Sequence, residues 1–306
     1  MKFSDYFKNK SEQSSSESKT TQSYSDDPSD SLEKSFSFNP EVEGIAIEGD
    51  VGHVNLMVSS GSEEILVEFH GTLLNGGINE EAYIDDDGVL VIDYCVTENG
   101  TNLQDAYVDI AIPNYIFNSF SCHLTSGNFT ARIAGVVFLS YDVSSESGAI
   151  DIGQNTNVGE GFDLEFGDAT FKSNSGDIDL VIHCQNPQSE DRYGYEHMDV
   201  TTNSGNIDAE VTSLRLNAEA NSGDIDIHDG YEVKIDAKTN SGSIDVGFTA
   251  IVESFVNIFS RTGNIHFSAN NASEYVSSDG NRADDLGGNC IVHVDLDSVN
   301  GEIEID

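Results

Sequence analysis

The stretch Ala220–Gly230 reads ANSGDIDIHDG, and three variants of it stand nearby: SNSGDIDLV from Ser173, TNSGNIDAE from Thr202 and TNSGSIDVG from Thr239. Lining the chain up on the motif glycine gives eight copies, at Gly127, Gly148, Gly176, Gly205, Gly223, Gly242, Gly263 and Gly301. Seven residues before these glycines stand Phe120, Tyr141, Ala169, Met198, Leu216, Ile235, Val256 and Val294, and five before stand Cys122, Val143, Phe171, Val200, Ala218, Ala237, Ile258 and Leu296. The residue between those two columns is polar in every copy, from Ser121 to Asp295. Two after the glycine comes Phe129 and then isoleucine in all seven later copies, with another apolar residue four after. Apolar side chains at every second position on both sides of a turn describe two strands, each with one buried face.

The intervals between glycines run 21, 28, 29, 18, 19, 21 and 38 residues. About 20 residues holding two short strands are one rung of a β-solenoid, and a rung buries its apolar face only when others stack on it. The reading is therefore an all-β protein in which a solenoid of eight rungs, spanning residues 119–306, winds with the right-handed sense usual for parallel crossovers. The longer intervals add three loop insertions. Glycine supplies the positive φ of a sharp corner. The asparagines two residues before it (Asn174, Asn203, Asn221 and Asn240) are placed to stack amide on amide.

Ahead of the repeat, residues 36–118 hold short Val- and Ile-rich runs such as GIAIEG, GHVNLMV and GVLVIDYCV separated by turn formers, which predicts a β-rich domain capping the solenoid. Residues 1–35 are rich in Ser, Lys, Glu and Asp without sustained periodicity, the composition of a disordered polar tail. At its start Met1, Phe3, Tyr6 and Phe7 form one apolar face beside Lys2, Lys8 and Lys10, which reads as a docking peptide or as an untethered terminus.

The quoted copies SGNFT, SGAIDI, SGDIDL, SGNIDA, SGDIDI and SGSIDV, after a β-rich lead-in ending VDIAIP, resemble the bacterial adhesin-type β-strand-repeat family, also called toastrack domains, over roughly residues 36–306. That resemblance implies a non-catalytic solenoid, often linked to the cell envelope, with no established biochemical activity; the function read for the chain is a binding or scaffold module with an unidentified protein or glycan partner.

Charge bounds the partners. The chain has 306 residues with 55 acidic and 13 basic side chains, a formal charge of −42. Phosphate contacts need Lys and Arg, so nucleic acid and anionic membrane surfaces are poor partners. The longest uncharged apolar run, Ile133–Leu139, is seven residues, against about 20 for a spanning helix. Without a visible signal peptide the expected location is cytoplasmic, the alternative being the envelope through a partner. The four cysteines, Cys95, Cys122, Cys184 and Cys290, have no metal-ligand spacing and read as reduced, Cys122 as a core residue. The final GEIEID leaves an open rung that invites pairing while its acids oppose it, so a monomer or a weak end-to-end dimer is expected.

The outward residues carry the candidate chemistry. Three after the glycine stand Asp151, Asp179, Asp208, Asp226 and Asp245, then His266 and Glu304; one after stand Asp177, Asp224 and Glu302. Rungs about 4.8 Å apart line these charges up, at about 1 kcal/mol per neighbouring pair in water. The plain reading is a solvated acidic face that blocks sheet-on-sheet aggregation. The sharper one is weak calcium binding by Asp177, Asp179, Asp208, Asp224, Asp226 and Asp245, although an exposed ladder offers fewer oxygens than the six to eight calcium takes. No cofactor is expected. An alternative function is a carbohydrate-active β-helix enzyme using the outward aspartates or the insert at residues 183–198. That insert brings His183, Glu190, Asp191, Arg192, Tyr193, Tyr195 and His197 onto one loop, of which His183, Arg192, Tyr193, Tyr195 and His197 are the candidate interaction residues.

Overall fold

The structure, a computed structural model, describes residues 19–22, 30–59, 61–73, 78–96, 103–157, 166–185, 194–249, 253–277, 282–284 and 290–305. Every element in it is a β-strand. The strand before each motif glycine pairs in parallel with its counterpart in the next rung, and so does the strand after it. The result is two facing parallel sheets, a pre-corner sheet and a post-corner sheet, joined at the glycine corners. Parallel pairing with the same register in each rung stacks like on like. In the post-corner sheet Phe129, Ile150, Ile178, Ile207, Ile225, Ile244, Ile265 and Ile303 are successive partners. In the pre-corner sheet the column runs Phe120, Tyr141, Ala169, Met198, Leu216, Ile235, Val256 and Val294. All of these are buried except Ile303, which is 44% exposed in the last rung. Each buried isoleucine removes enough apolar surface to contribute about 1.5–3 kcal/mol, which is why a single rung is unstable and the stack is not.

The corner is built by four interlocking features. A Cβ on any of the eight glycines would lie between 1.4 Å (at Gly127) and 2.2 Å (at Gly176 and Gly205) from the carbonyl oxygen of the corner glycine beneath. Close stacking, more than the positive φ expected from the sequence, is thus what demands glycine. Gly127 has φ of 134°, whereas Gly205 keeps a backbone that other residues adopt and is still without room for a side chain. Three before the glycine, a Ser or Thr hydroxyl donates to the glycine carbonyl of the preceding rung, as at Ser145, Ser173, Thr239 and Ser260 with distances of 3.1, 3.0, 3.0 and 2.9 Å. Two before it, the expected amide ladder is present: Asn203 donates to Asn174, Asn221 to Asn203 and Asn240 to Asn221 at 3.3, 3.1 and 3.0 Å. One after it, a side-chain oxygen accepts the backbone N–H of the next rung. Buried polar groups need such partners, and here each rung supplies those of its neighbour.

The stack begins earlier than the glycine alignment predicts. Gly44–Val51 and His53–Val58 form a rung around Gly52, whose carbonyl oxygen underlies Gly127. Its Ile45, Ile47, Val54 and Leu56 sit in register with Phe120, Cys122, Phe129 and Ala131. Val89–Val96 and Leu103–Ile112 then pair in parallel with the outer side of that rung. Chain order and spatial order part here: the chain winds the Gly52 rung, steps outward to the strands Val89–Val96 and Leu103–Ile112, and returns across the Gly52 rung to continue upward. The two sheets therefore run unbroken through residue 118. Antiparallel strands close this end. Ile65–Leu73 pairs with Leu103–Ile112, Asp30–Phe38 with Ile65–Leu73, and Ile78–Ile84 with Val89–Val96.

Part of the expected tail is ordered into this cap. Lys19–Gln22 is a strand paired antiparallel with Asp30–Phe38, and Phe36 and Phe38 are buried, so in these two strands pairing on an existing sheet edge overrides a polar composition. The apolar face at Met1–Phe7 lies outside the described residues. Of the three insertions, the one before Gly301 adds Ala272–Ser277 and Arg282–Asp284, which extend the pre-corner sheet beside Cys290–Ser298.

Candidate functional site

The post-corner face carries the acidic row. Asp151, Asp179, Asp208, Asp226, Asp245, His266 and Glu304 are consecutive partners across the rungs. Basic groups interrupt the row's repulsion. Arg132 reaches Asp151 at 2.5 Å, His228 Nδ1 lies 3.3 Å from Asp208 and 3.5 Å from Asp226, and His266 Nδ1 lies 2.8 Å from Asp245. Asp179 has no such contact among the described residues. Partial burial, then the neighbouring Asp151 and Asp208, hold its carboxyl above the usual range. Asp208 is also raised by partial burial, with Asp226 and Glu210 adding to the rise and His228 opposing it.

The six candidate calcium ligands divide into two rows with different roles. Asp177 and Asp224 accept the backbone N–H of Asn206 and of Ser243, both at 2.7 Å, so they belong to the corner ladder. Asp179, Asp208, Asp226 and Asp245 stand in single file down the face. Among the described residues no three His, Cys, Asp or Glu side chains converge to hold a metal. A straight file of carboxylates supplies one or two oxygens at each point and does not wrap an ion.

The insert at residues 183–198 does not form one contact surface among its described members. His183 lies at the end of Ile178–Gln185 on the post-corner sheet, 2.8 Å from Glu210 Oε1. His197 opens the strand His197–Ser204 on the opposite sheet, 3.3 Å from Asp168. Tyr195 is fully buried and donates from its hydroxyl to the Phe138 carbonyl at 3.0 Å, with Phe166 packed edge-on against its ring. The expectation of Tyr195 as an interaction residue is thus corrected: it is a core residue with its polar tip satisfied, as buried tyrosines require. Arg192 and Tyr193, with Glu190 and Asp191, lie outside the described residues. Cys122 is buried as expected, and burial, with Glu48 nearby, pushes its thiol well above the usual range.

The pre-corner face holds a feature that the motif reading passed over. Its central outward column, six before each glycine, runs Ser121, Asp142, Thr170, Asp199, Asn217, Asp236, Asn257 and Asp295, with no side chain longer than Asp or Asn. The flanking columns, eight and four before, carry longer side chains, including His197, Arg215 and Lys234 on one side and Glu219, Lys238 and Phe259 on the other. Short side chains between long ones make a trough along the solenoid axis. It encloses about 600 Å³ and is lined by Asp168, His197, Asp199, Arg215, Asn217, Glu219, Asp236, Ala237, Lys238, Asn257 and Phe259. Its floor is ordered internally. Asn217 donates to Asp199 at 3.1 Å, Asn257 donates to Asp236 at 3.2 Å, and Lys234 pairs with Asp236 at 2.8 Å. The signal was legible in the alternation of Asp and Asn down that column, but it required the columns to be read across rungs.

A Toastrack DUF4097 family profile covers residues 47–306. The chain belongs to the Toastrack family. Solved structures similar to this Toastrack chain include a "putative adhesin" from Bacteroides fragilis, 13% identical over 89% of this chain and 96% of that one, with a TM-score of 0.45. Another from Parabacteroides merdae is 12% identical over 95% and 97%, TM-score 0.45. A "putative lipid binding protein" from Parabacteroides distasonis is 11% identical over 95% and 96%, TM-score 0.47. A search of curated protein sequences returns no relative. No helix among the described residues is long and apolar enough to cross a membrane.

Proposed function

We propose that this Toastrack chain is a non-enzymatic binding module that uses its solenoid as a rigid support and the pre-corner trough as its contact surface, working at the cell envelope. The observation that carries the reading is the trough itself: an open channel crossing several rungs, with its floor built from one repeated column. Catalysis gathers unlike groups at one point. A channel of repeated groups is suited to holding an extended partner. The parallel ladders beneath it fix the floor, so little ordering cost falls on binding.

Binding of the purified protein to an immobilised envelope extract from its native cells tests this. Asn217→Arg, which fills the floor of the trough, is expected to abolish retention, while Thr130→Arg on the opposite face leaves it unchanged. Equal retention of both variants would remove the trough from the function. The enzymatic alternative predicts cleavage of acidic polysaccharides that Asp179→Asn abolishes, and release of reducing ends by the wild type alone would overturn the non-enzymatic reading.

A further inference from the structure

One column of the corners breaks its own repeat. Immediately before the motif glycine stand Ser126, Ser147, Ser175, Ser204, Ser222, Ser241 and Thr262, and then Asn300. Among the eight copies, the last corner alone carries the pair Asn-Gly. We infer that Asn300 is a site of spontaneous covalent modification, at which the side-chain amide is converted through a cyclic imide to aspartate or isoaspartate.

The reaction needs no enzyme and no reagent but water. The backbone nitrogen of Gly301 attacks Cγ of Asn300. A new C–N bond closes the imide, the bond from Cγ to the side-chain nitrogen breaks, and ammonia leaves with the hydrogen that Gly301 gives up. Water then opens the imide at either carbonyl. One opening yields aspartate, and the other yields isoaspartate, which carries an extra methylene in the main chain. Asparagine is a thermolabile residue, and glycine after it is the least crowding neighbour for ring closure.

The structure leaves both reacting groups free at this corner and at no other so completely. In the lower corners the glycine nitrogen is occupied: Gly52, Gly127, Gly205, Gly223 and Gly242 donate to the carbonyl of the residue before the next glycine up, at 3.0, 2.9, 3.1, 2.9 and 3.4 Å. No described strand stacks above the rung of Gly301, and its N–H has no partner among the described residues. The side chain of Asn300 is exposed and has no hydrogen bond among the described residues, whereas Asn203, Asn221 and Asn240 are tied into the amide ladder. Asn300 also lies between strands, after Cys290–Ser298 and before Ile303–Ile305. The corner is anchored only on either side of the reacting pair, by Val299 N–H to the Ser260 carbonyl at 3.2 Å and by Glu302 N–H to Asn264 Oδ1 at 3.1 Å.

The product changes the fold at this end. A Cβ on Gly301 would lie 1.8 Å from the Gly263 carbonyl oxygen, so the corners nest too closely to accept a lengthened main chain. Isoaspartate at position 300 therefore lifts the corner and releases Ile303–Ile305 from Ile265–Phe267. The Ile265 N–H, which donates to the Glu302 carbonyl at 2.8 Å, reports the release.

The purified full chain is incubated at mildly alkaline pH, natively and in denaturant, and mapped by peptide mass spectrometry with enzymatic isoaspartate labelling. Mapping separates Asn300 from the other Asn-Gly pairs, Asn75-Gly76 and Asn99-Gly100, which lie outside the described residues. Asn300 is expected to convert in the native chain at a rate comparable to the denatured one, and Asn300→Ser, which restores the residue of the other corners, to lose the modified peptide. An amide that survives in the native chain, whether or not the denatured chain converts, overturns the proposal. So does native conversion at Asn203 or Asn240 as fast as at Asn300. Hydrogen exchange then reads the consequence. Ile265 is expected to lose protection in the aged wild type and to keep it in aged Asn300→Ser and in fresh Asn300→Asp, which adds the charge without the methylene. Unchanged protection in the isoaspartate form overturns the release of the last strand.

Discussion

The two outward faces share one core and one set of corners, yet they handle charge in opposite ways. The post-corner face repeats a carboxylate in register over five rungs, from Asp151 to Asp245, and tempers it with Arg132 and His228 from the side and with His266 as the next member of the row. The pre-corner face alternates Asp199, Asn217, Asp236 and Asn257, so that each carboxylate has an amide donor in the next rung. A parallel stack makes every outward residue a neighbour of its own repeat, so any charged consensus becomes a charged ladder. The comparison shows two answers: tolerate the repulsion where the face is merely solvated, or break the repeat where the surface must be ordered enough to hold something.

The largest expected effect removes both faces at once. Gly205→Ala puts a Cβ 2.2 Å from the Gly176 carbonyl oxygen without any positive-φ penalty. Overpacking of backbone on backbone is expected to cost about 3 kcal/mol or more in denaturant unfolding. A cost of about 1 kcal/mol or less would mean that the corners open readily and that neither face is rigidly aligned. Next, Asn217→Asp rewrites the pre-corner row as a run of three carboxylates. It deletes the donor to Asp199 and adds two like-charge neighbours, for an expected loss of about 1–2 kcal/mol at low salt that shrinks in high salt. No salt dependence would show that the alternation serves something other than charge relief.

The smallest effect runs the other way. Because the folded Asp179 carboxyl is raised above its unfolded value, its ionisation disfavours the folded state as pH rises through the unfolded and then the folded pKa. Asp179→Asn is therefore expected to stabilise at neutral pH by about a few tenths of a kcal/mol, since the group is partly exposed and screened. The gain over wild type disappears in acid below the unfolded pKa. A variant less stable than wild type at pH 7 would show that the acidic row is held by contacts, not merely tolerated. Fractionating native cells adds a check on the whole comparison. Recovery in the envelope fraction is expected, and recovery wholly in the cytosol would leave the trough without an envelope ligand.

Much of the fold was legible because its rules are local. Alternation in ANSGDIDIHDG separates Ile225 and Ile227 from Asp224 and Asp226, and the structure buries the first pair and exposes the second. The Gly52 rung carried the same signature in Ile45, Ile47, Val54 and Leu56. It escaped the alignment because the strands Ile65–Leu73, Ile78–Ile84, Val89–Val96 and Leu103–Ile112, which belong to the cap and the outermost rung, intervene before its partner. Tyr195 read as a loop residue because its neighbours are polar, whereas its isolated bridge to Ser213 draws it beneath the stack.

What the sequence alone determined was the inside and outside of each rung from Gly127 onward, the place of its corner, and the columns that recur at fixed distances from glycine. Those follow from the two-residue period of a strand and the tight approach of one corner to the next. Only the tertiary structure decided which rung lies beneath which, that Val89–Val96 and Leu103–Ile112 sit outside the Gly52 rung, and that His183 and His197 end on opposite faces. The physical reason is that hydrogen bonding between rungs is indifferent to chain order, so any edge of matching length can be paired by a strand that arrives later. The trough exists at the same level. One short side chain is only a gap, and a channel appears when parallel register repeats that gap rung after rung.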